Sequence, residues 1–180
     1  MGFGYTGSNN LWSMILIREI KEGDAEEFLS LCRRVDTETP FMMFEPGERS
    51  TTVEEQRCEI REILLRDNQT IFVAENNGQL IGYLTACGGR YKRNRQTAYI
   101  ITGILRSFTS QGIGTKLFEE MEQWAKRKDI HRLELNVVAH NEAALALYRK
   151  MGFEIEGKKK HSLLINNTYA DEYWMAKLLS

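Results

Sequence analysis

The sequence predicts a single α/β domain in which a mixed sheet of about seven strands is accompanied by about four helices. Three observations carry this prediction. The chain has 180 residues, which is the length of one domain. Apolar residues make up 42% of it, enough to fill a core. Short β-type runs alternate with segments of helical periodicity, in the order β-α-α-β-β-β-α-β-α-β-β.

The first elements are a strand and two helices. Residues 15–20 form a short β-type run. Asp24 is placed to cap the helix that follows, and Glu27 three residues later completes a capping box. The apolar stripe of this helix is Phe28, Leu31, Cys32 and Val35. Residues 40–47 contain both prolines and four large apolar side chains, which predicts a packed loop, and a second helix is expected over residues 52–66.

A β-hairpin is the clearest local feature of the middle of the chain. Residues 70–75 and 79–87 are β-rich and are separated by a turn that contains Asn77-Gly78, the strongest short-range hairpin signal. The remaining elements are a strand at 97–105, a helix at 114–128, a strand at 132–138, a helix at 141–151 ended by Gly152, and strands at 153–158 and 169–178 with a turn near Asn166.

Charge and motif content argue against several protein classes. With 24 basic and 25 acidic residues the net charge is −1, which argues against a general nucleic-acid-binding surface. No apolar run approaches the roughly 20 residues that a membrane helix needs. Three widely spaced cysteines and three histidines form no CxxC or HExxH spacing, so no metal site is expected. Residues 1–13 are interpreted as a flexible leader, residues 14–180 as the domain, and the compartment as a reducing cytoplasm.

The sharpest candidate for chemistry is Gln111-Gly112-Ile113-Gly114, which joins a predicted buried strand to an amphipathic helix. Glycines permit a tight turn, and the free N–H groups and positive end of a helix suit a phosphate. A merely structural turn is about equally compatible with these residues. The chain lacks GxxxxGK[ST], and Leu117 stands where a dinucleotide fingerprint has its third glycine.

A second candidate lies about 27 residues downstream. Asn141 is expected to cap a helix, and Ala144, Leu147, Tyr148 and Met151 lie on one face of it. Without further context, Tyr148 is interpreted more readily as a core residue than as a functional one.

In this order and spacing, the two segments resemble the Gcn5-related N-acetyltransferase (GNAT) superfamily over about 100 residues. The family motif [Q/R]-x-x-G-x-[G/A] falls on residues 109–114, and N-x-x-A-x-x-L-Y-x-x-x-G-F is complete over residues 141–153. The C-terminal positions that resemble bacterial branches acting on small amines or protein N-termini are Glu156, Gly157, Tyr169, Asp171 and Met175. Thr109 and Ser110 depart from the motif, and a positive φ at Ser110 would carry strain of about 1 kcal/mol.

The resemblance implies direct acetyl transfer from acetyl-CoA to a primary amine, without a metal. The residues that it implies for acetyl-CoA binding are Gly103, Ile104, Ser110, Gln111, Gly112, Ile113, Gly114, Thr115 and Asn141. Tyr148 is then the general acid that serves the leaving thiolate, and the Ile104 N–H is the donor to the developing oxyanion. Some relatives carry a catalytic Glu where this chain has Asn136, so the base is not assigned; Glu134 is its nearest acidic neighbour.

Acceptor recognition is expected to involve the first two helices, their loop and the last hairpin. Glu38 and Glu45 belong to an acidic cluster that would attract a cationic amine, even a polyamine, although solvated carboxylates explain the cluster more simply. The other members of this cluster are Asp36, Glu48, Glu54 and Glu55. The basic loop at 91–95 is weighed as a 3′-phosphate contact or a solvated loop, and Lys158 to Lys160 are expected at the surface. The expected partners are acetyl-CoA and an amine acceptor, with no nucleic acid and no membrane; a homodimer is compatible with the sequence.

Two other function classes remain open from the sequence. Thr109, Ser110 and Asn136 favour a catalytically degenerate acyl-CoA-binding protein of the same fold, and the presence of Tyr148 argues against it. The glycine turn alone is compatible with a nucleotide-binding module of another fold, which the missing P-loop lysine makes weakest.

Overall fold

The computed structural model describes residues 15–180, which form one mixed sheet with helices on both faces. The seven strands are β1 (Ile15–Glu19), β2 (Gln69–Asn76), β3 (Gln79–Gly88), β4 (Thr97–Ile104), β5 (Arg132–Val138), β6 (Glu154–Ile165) and β7 (Thr168–Leu178). The four α-helices are α1 (Ala25–Glu38), α2 (Val53–Leu64), α3 (Ile113–Arg127) and α4 (Glu142–Lys150). The predicted element order and fold class are confirmed, while the predicted leader at 1–13 lies outside the described residues.

The sheet has the strand order β1-β2-β3-β4-β5-β7-β6. All neighbours are antiparallel except β4 and β5, which are parallel and are connected through α3. A parallel pair needs such a crossover, whereas the antiparallel neighbours β2 and β3 are joined by a tight turn. Asn77 and Gly78 in that turn both have positive φ values, 50° and 79°, as a type I′ hairpin requires.

The helices lie on both faces of the sheet. On one face, Phe28 of α1 packs edge-on against Tyr83 of β3, with ring centroids 5.3 Å apart. On the other face, Phe118 of α3 packs against Tyr148 of α4 and against Phe153, at 5.7 and 5.6 Å. These aromatic contacts anchor α1 on one side of the sheet, and α3 with α4 on the other. No helix within residues 15–180 is long and apolar enough to cross a membrane.

Two local predictions are wrong. Asp24 does not cap α1 with its side chain; its carboxylate accepts from the Lys21 N–H at 2.7 Å and pairs with Arg18. Glu27, the expected second half of the capping box, instead accepts from the Leu80 N–H on β3 at 2.7 Å. Strand β6 extends to Ile165, well beyond the predicted end at residue 158, because β7 offers a pairing partner along its length.

Candidate active site

The central feature of the site is a gap in the sheet between β4 and β5. These strands pair only from Thr97–Arg132 to Tyr99–Glu134. Beyond Tyr99, β4 continues to Ile104 paired with β3 alone, and β5 continues paired with β7 alone. The two strands therefore diverge in mid-sheet and leave backbone polar groups on facing edges, where an extended ligand can add itself as a strand.

Strand geometry identifies which backbone groups face this gap. The Leu105 N–H donates to the Ile81 carbonyl at 2.9 Å, so the backbone polar groups of Leu105 point toward β3. Because these directions alternate along a strand, those of Gly103 also point toward β3, whereas those of Ile104 point into the gap. Of the two predicted residues, Ile104 is thus the one placed to donate a backbone N–H there.

At Gly103 the neighbouring side chains leave no room for a Cβ atom. A Cβ at this position would lie 2.8 Å from the Tyr83 ring and 3.0 Å from a Val35 methyl group. Both distances are shorter than a carbon–carbon contact of about 3.5–4.0 Å. Glycine therefore lets α1 and β3 pack closely beside the gap.

The predicted phosphate turn follows directly after β4 and runs into α3. Ser110 has φ 60° and Gly112 has φ 78°, so both are left-handed. Ser110 consequently carries the strain of about 1 kcal/mol that its side chain implies. The Gln111 side-chain amide donates to the Ser107 carbonyl at 2.9 Å and braces the turn.

Free backbone donors converge at the start of α3. The first intrahelical bond runs from the Lys116 N–H to the Gly112 carbonyl at 3.1 Å. The N–H groups of Gly112, Ile113, Gly114 and Thr115 precede it, so they have no partner within the helix. Together with the positive end of the helix dipole, they form a cradle for an anion.

Lys150 is a residue of this cradle that sequence reasoning missed. It lies in the last turn of α4, and its Nζ is 3.1 Å from the Thr115 hydroxyl in the first turn of α3. A cation beside the positive end of a helix is unfavourable unless an anion lies between them. Lys150 lies within the Asn141-to-Phe153 motif, two residues after Tyr148, and this position could have identified it from the sequence.

Tyr148 lies on α4 behind the gap. Gly114 couples α4 to α3, because a Cβ there would lie 2.6 Å from Leu147 and 3.5 Å from Ile104 at the end of β4. The Tyr148 side chain is buried, and its ring packs against Phe118. Burial, with a smaller contribution from Tyr99, raises the pKa of Tyr148 well above its ordinary value. The hydroxyl therefore stays protonated at neutral pH and can donate a hydrogen bond.

Asn141 caps α4, as predicted. Its side-chain oxygen accepts from the Ala144 N–H at 3.3 Å. That contact positions the helix carrying Tyr148, so Asn141 contributes to the site through helix placement.

The predicted acidic cluster on the acceptor side is mostly occupied by internal contacts. Two of these carboxylates form ion pairs: Asp36 with Arg49, and Glu54 with Arg57. Three others accept a hydrogen bond from a backbone N–H group: Glu38 from Arg106, Glu48 from Glu45, and Glu55 from Thr52. Among the described residues, Glu45 alone of these six carboxylates makes no hydrogen bond or ion pair. Five of the six carboxylates therefore already have partners within the chain.

Glu134 and Asn136, the two β5 residues considered in connection with the base, have different surroundings. Glu134 is paired with Arg132 at 2.8 Å, and Arg132 also binds Glu156. The Asn136 Oδ1 atom is buried and has no hydrogen-bond partner. In residues 15–180 no group of three or more His, Cys, Asp or Glu side chains is arranged to hold a metal.

The basic loop at 91–95 lies away from the phosphate cradle. It precedes β4, whereas the cradle follows the opposite end of that eight-residue strand. Strand rise separates the two ends by roughly 25 Å. Arg95 instead pairs with Asp67 at 2.7 Å, which supports the solvated-loop interpretation.

Comparisons with known proteins agree with this geometry. A family model described as the acetyltransferase (GNAT) family matches residues 32–153. The L-amino acid N-acetyltransferase AaaT of Escherichia coli (strain K12) is 32% identical over 110 residues, which cover 59% of this chain and 66% of that protein. The spermidine N(1)-acetyltransferase of the same strain is 29% identical over 99 residues, or 54% of this chain and 52% of that protein. The chain thus spans about half to two thirds of these curated relatives.

Solved structures show the same fold. The acetyltransferase of the GNAT family from Streptococcus pneumoniae superposes with a TM-score of 0.89 at 32% identity, covering 93% of this chain and all of that one. The putative acetyltransferase yncA from Salmonella typhimurium, solved with its cofactor acetyl-CoA, gives a TM-score of 0.82 over 92% of this chain and 94% of that one. At 18% identity this second likeness concerns the fold.

Proposed function

The chain belongs to the GNAT acetyltransferase family, and from this premise we propose that it transfers the acetyl group of acetyl-CoA directly to a primary amine. The observation that carries the proposal is the parting of β4 and β5 beside the free N–H groups of α3, with Tyr148 behind the gap. This arrangement offers one place for a phosphate, one for an extended arm and one for a leaving thiolate.

The chain's own residues fit acetyl-CoA. The N–H groups of residues 112–115 and the ammonium of Lys150 would hold the pyrophosphate, and the Ile104 N–H would bond the arm or the acetyl oxygen. When bound, acetyl-CoA supplies an acetyl group activated as a thioester. The residues themselves would orient that group.

We assign Tyr148 to stabilise the departing thiolate. A thiol has an ordinary pKa of about 8.5, well below that of a buried tyrosine. Tyr148 therefore acts mainly by donating a hydrogen bond to sulfur as negative charge develops there. Such an interaction is stronger in the transition state than in the ground state and accelerates the chemical step.

A catalytically degenerate acyl-CoA-binding protein is the second candidate. The observation in its favour is Asn136, whose amide cannot take the proton that an acidic residue would take there.

Two measurements test these alternatives in sequence. Thermal shift with acetyl-CoA, CoA and ATP tests binding, and we expect stabilisation by the first two only. Release of free thiol with acetyl-CoA and a library of primary amines then tests turnover. Binding without thiol release from any amine would favour the degenerate protein, and stabilisation by ATP alone would overturn both.

A further inference from the structure

An ion pair on the last hairpin, between a buried glutamate and a half-exposed lysine, is left unused by the function proposed above. Glu172 on β7 is 7% exposed, and its Oε2 lies 3.2 Å from the Nζ of Lys159 on β6. The Lys159 side chain is 47% exposed. A carboxylate taken out of water is costly unless it keeps a charged partner, yet this partner is free to move into solvent.

The pair lies on the same face of the sheet as the entrance to the gap. Strand register places Glu172 opposite Val138 and Trp174 opposite Asn136, at the end of β5 beyond its last contact with β4. The rings of Trp174 and Tyr99 are 6.2 Å apart, which brings β7 to the point where the gap begins. Residues directly opposite each other point to the same face, so Glu172 faces the side on which α1 lies.

The surroundings of Tyr99 support this placement. Its pKa is raised chiefly by burial and also by the charges of Glu172 and Glu134, while a hydrogen bond from the Asn136 backbone opposes the rise. The Tyr99 side chain therefore lies near Asn136 at the base of the gap, with the Glu172 carboxylate close enough to raise its pKa.

The same face is open to an incoming molecule. Ile101 lies in the middle of the sheet, two residues after Tyr99 on the same side of β4, and it is 43% exposed. A central-strand isoleucine is normally covered, so an uncovered one next to a gap marks a cleft floor.

We propose that this cleft receives a zwitterionic amino acid, whose ammonium binds Glu172 and whose carboxylate binds Lys159. The proposal rests on the function proposed above and specifies its acceptor. Insertion of a zwitterion between the two side chains replaces one ion pair by two and leaves neither charge unpaired. A simple amine would pair with Glu172 but would offer Lys159 no new partner in exchange. A polyamine would bring a further cation, and no carboxylate, against the Lys159 ammonium.

Glu172 is also the group that takes the proton. The bound ammonium passes one proton to the Glu172 carboxylate, and the neutral nitrogen forms a bond to the thioester carbonyl carbon. The carbon–sulfur bond breaks with its electron pair remaining on sulfur, where the Tyr148 hydroxyl donates a hydrogen bond to the thiolate. The second proton of the nitrogen leaves to solvent, and the thiolate takes a proton from solvent. Glu172 then releases its proton to solvent, which regenerates the carboxylate.

The test compares amino acids with amines that differ only by the missing carboxylate. L-methionine, L-leucine and L-phenylalanine are assayed beside 3-(methylthio)propylamine, isopentylamine and 2-phenylethylamine, with spermidine as the polyamine. The variants are Lys159→Met and Glu172→Gln. The matched control is Lys158→Met, since Lys158 is 45% exposed and pairs with Asp171 at 2.8 Å.

We expect the wild-type protein to prefer the amino acid in at least one pair by tenfold or more in kcat/KM. Lys159→Met should raise the KM for that amino acid at least tenfold and change the matched amine less than twofold. Lys158→Met should change neither by more than twofold. Glu172→Gln should lower kcat/KM at least tenfold for both, with acetyl-CoA affinity within twofold of wild type.

Three results would overturn the proposal while leaving the proposed function intact. They are equal turnover of amino acids and matched amines, a preference for spermidine, and a Lys159→Met variant that behaves like Lys158→Met. The wild-type protein and the exposed lysine variant decide the matter even if Glu172→Gln does not fold. Failure of the wild-type protein to bind acetyl-CoA would instead reject the proposed function.

Discussion

Glu38 at the end of α1 accepts a hydrogen bond from the backbone N–H of Arg106, with 2.6 Å between Glu38 Oε2 and Arg106 N. The Arg106 guanidinium donates in return to the Glu38 carbonyl oxygen. These bonds join α1 to the segment between β4 and the phosphate turn. A residue that the sequence suggests for acceptor binding thus has a structural partner on the acetyl-CoA side.

The first prediction concerns this contact. Glu38→Ala should lower the free energy of unfolding by about 1 kcal/mol, because a charge-assisted hydrogen bond at a partly solvated site is lost. Urea denaturation measures the change. Glu45→Ala is the control, since the Glu45 side chain makes no such contact, and it should shift stability by less than about 0.5 kcal/mol. A raised acceptor KM in either variant would support the acceptor role that the sequence suggests.

The second prediction concerns the phosphate turn. Gly112→Asp should weaken acetyl-CoA binding at least tenfold, about 1.4 kcal/mol, because it sets a negative charge beside the pyrophosphate. A Cβ at Gly112 meets no atom within 4 Å, and a side chain at its φ of +78° costs only about 1 kcal/mol, so the fold should persist. Gly78→Asp is a matched control: φ is +79° there, the surrounding space is equally open, and the residue lies in the β2–β3 turn. If calorimetry finds the same acetyl-CoA affinity in both variants, the interpretation of this turn as the pyrophosphate site is rejected.

The third prediction concerns Tyr148. Tyr148→Phe should reduce kcat at least tenfold with acetyl-CoA affinity within a few-fold of wild type, because the hydroxyl acts mainly in the transition state. The raised pKa of Tyr148 also predicts that wild-type activity does not fall through its ionisation below pH 10. Tyr169→Phe, at a 65% exposed position, is the control. Full turnover by Tyr148→Phe across the pH range would show that the Tyr148 hydroxyl has no part in catalysis and that the residue serves in packing.

The fourth prediction concerns alkaline stability. Burial raises the pKa of Cys32 from 9.0 to about 12, with Arg49 opposing and Asp36 adding to the rise. As pH increases through 9, the unfolded chain loses this proton before the folded protein does. The contribution of Cys32 to the free energy of unfolding is therefore complete below pH 9 and is lost progressively toward pH 12. The slope contributed by one group is at most about 1.4 kcal/mol per pH unit.

Urea denaturation between pH 8 and 11 tests this prediction. Cys32→Ala should show a shallower decline than the wild-type protein, whatever packing it loses at neutral pH. Cys58→Ala removes an exposed cysteine and should keep the wild-type slope. Parallel curves for all three proteins would contradict the assigned role of Cys32.

Local features of the fold were predictable because their causes lie within a few residues. The Asn77-Gly78 turn, the Asn141 cap and the ending of α4 at Gly152, where φ is 86°, each depend on backbone preferences that the sequence displays directly. The Asp24 cap failed because Arg18 and the Lys21 N–H compete for the same carboxylate. A short polar side chain often has several acceptable local partners, and sequence spacing does not rank them.

By itself, the sequence determined the element order, the glycine turn before α3 and the position of Tyr148 on α4, since periodicity and turn chemistry are local. Only the tertiary structure decided where β4 and β5 part and which carboxylates are free. Lys150 meets Thr115 across 35 residues, and Glu38 meets Arg106 across 68. The partner of a charged side chain depends on which elements cross near it, and the burial that gives the Glu172–Lys159 pair its chemistry exists only after the sheet has formed.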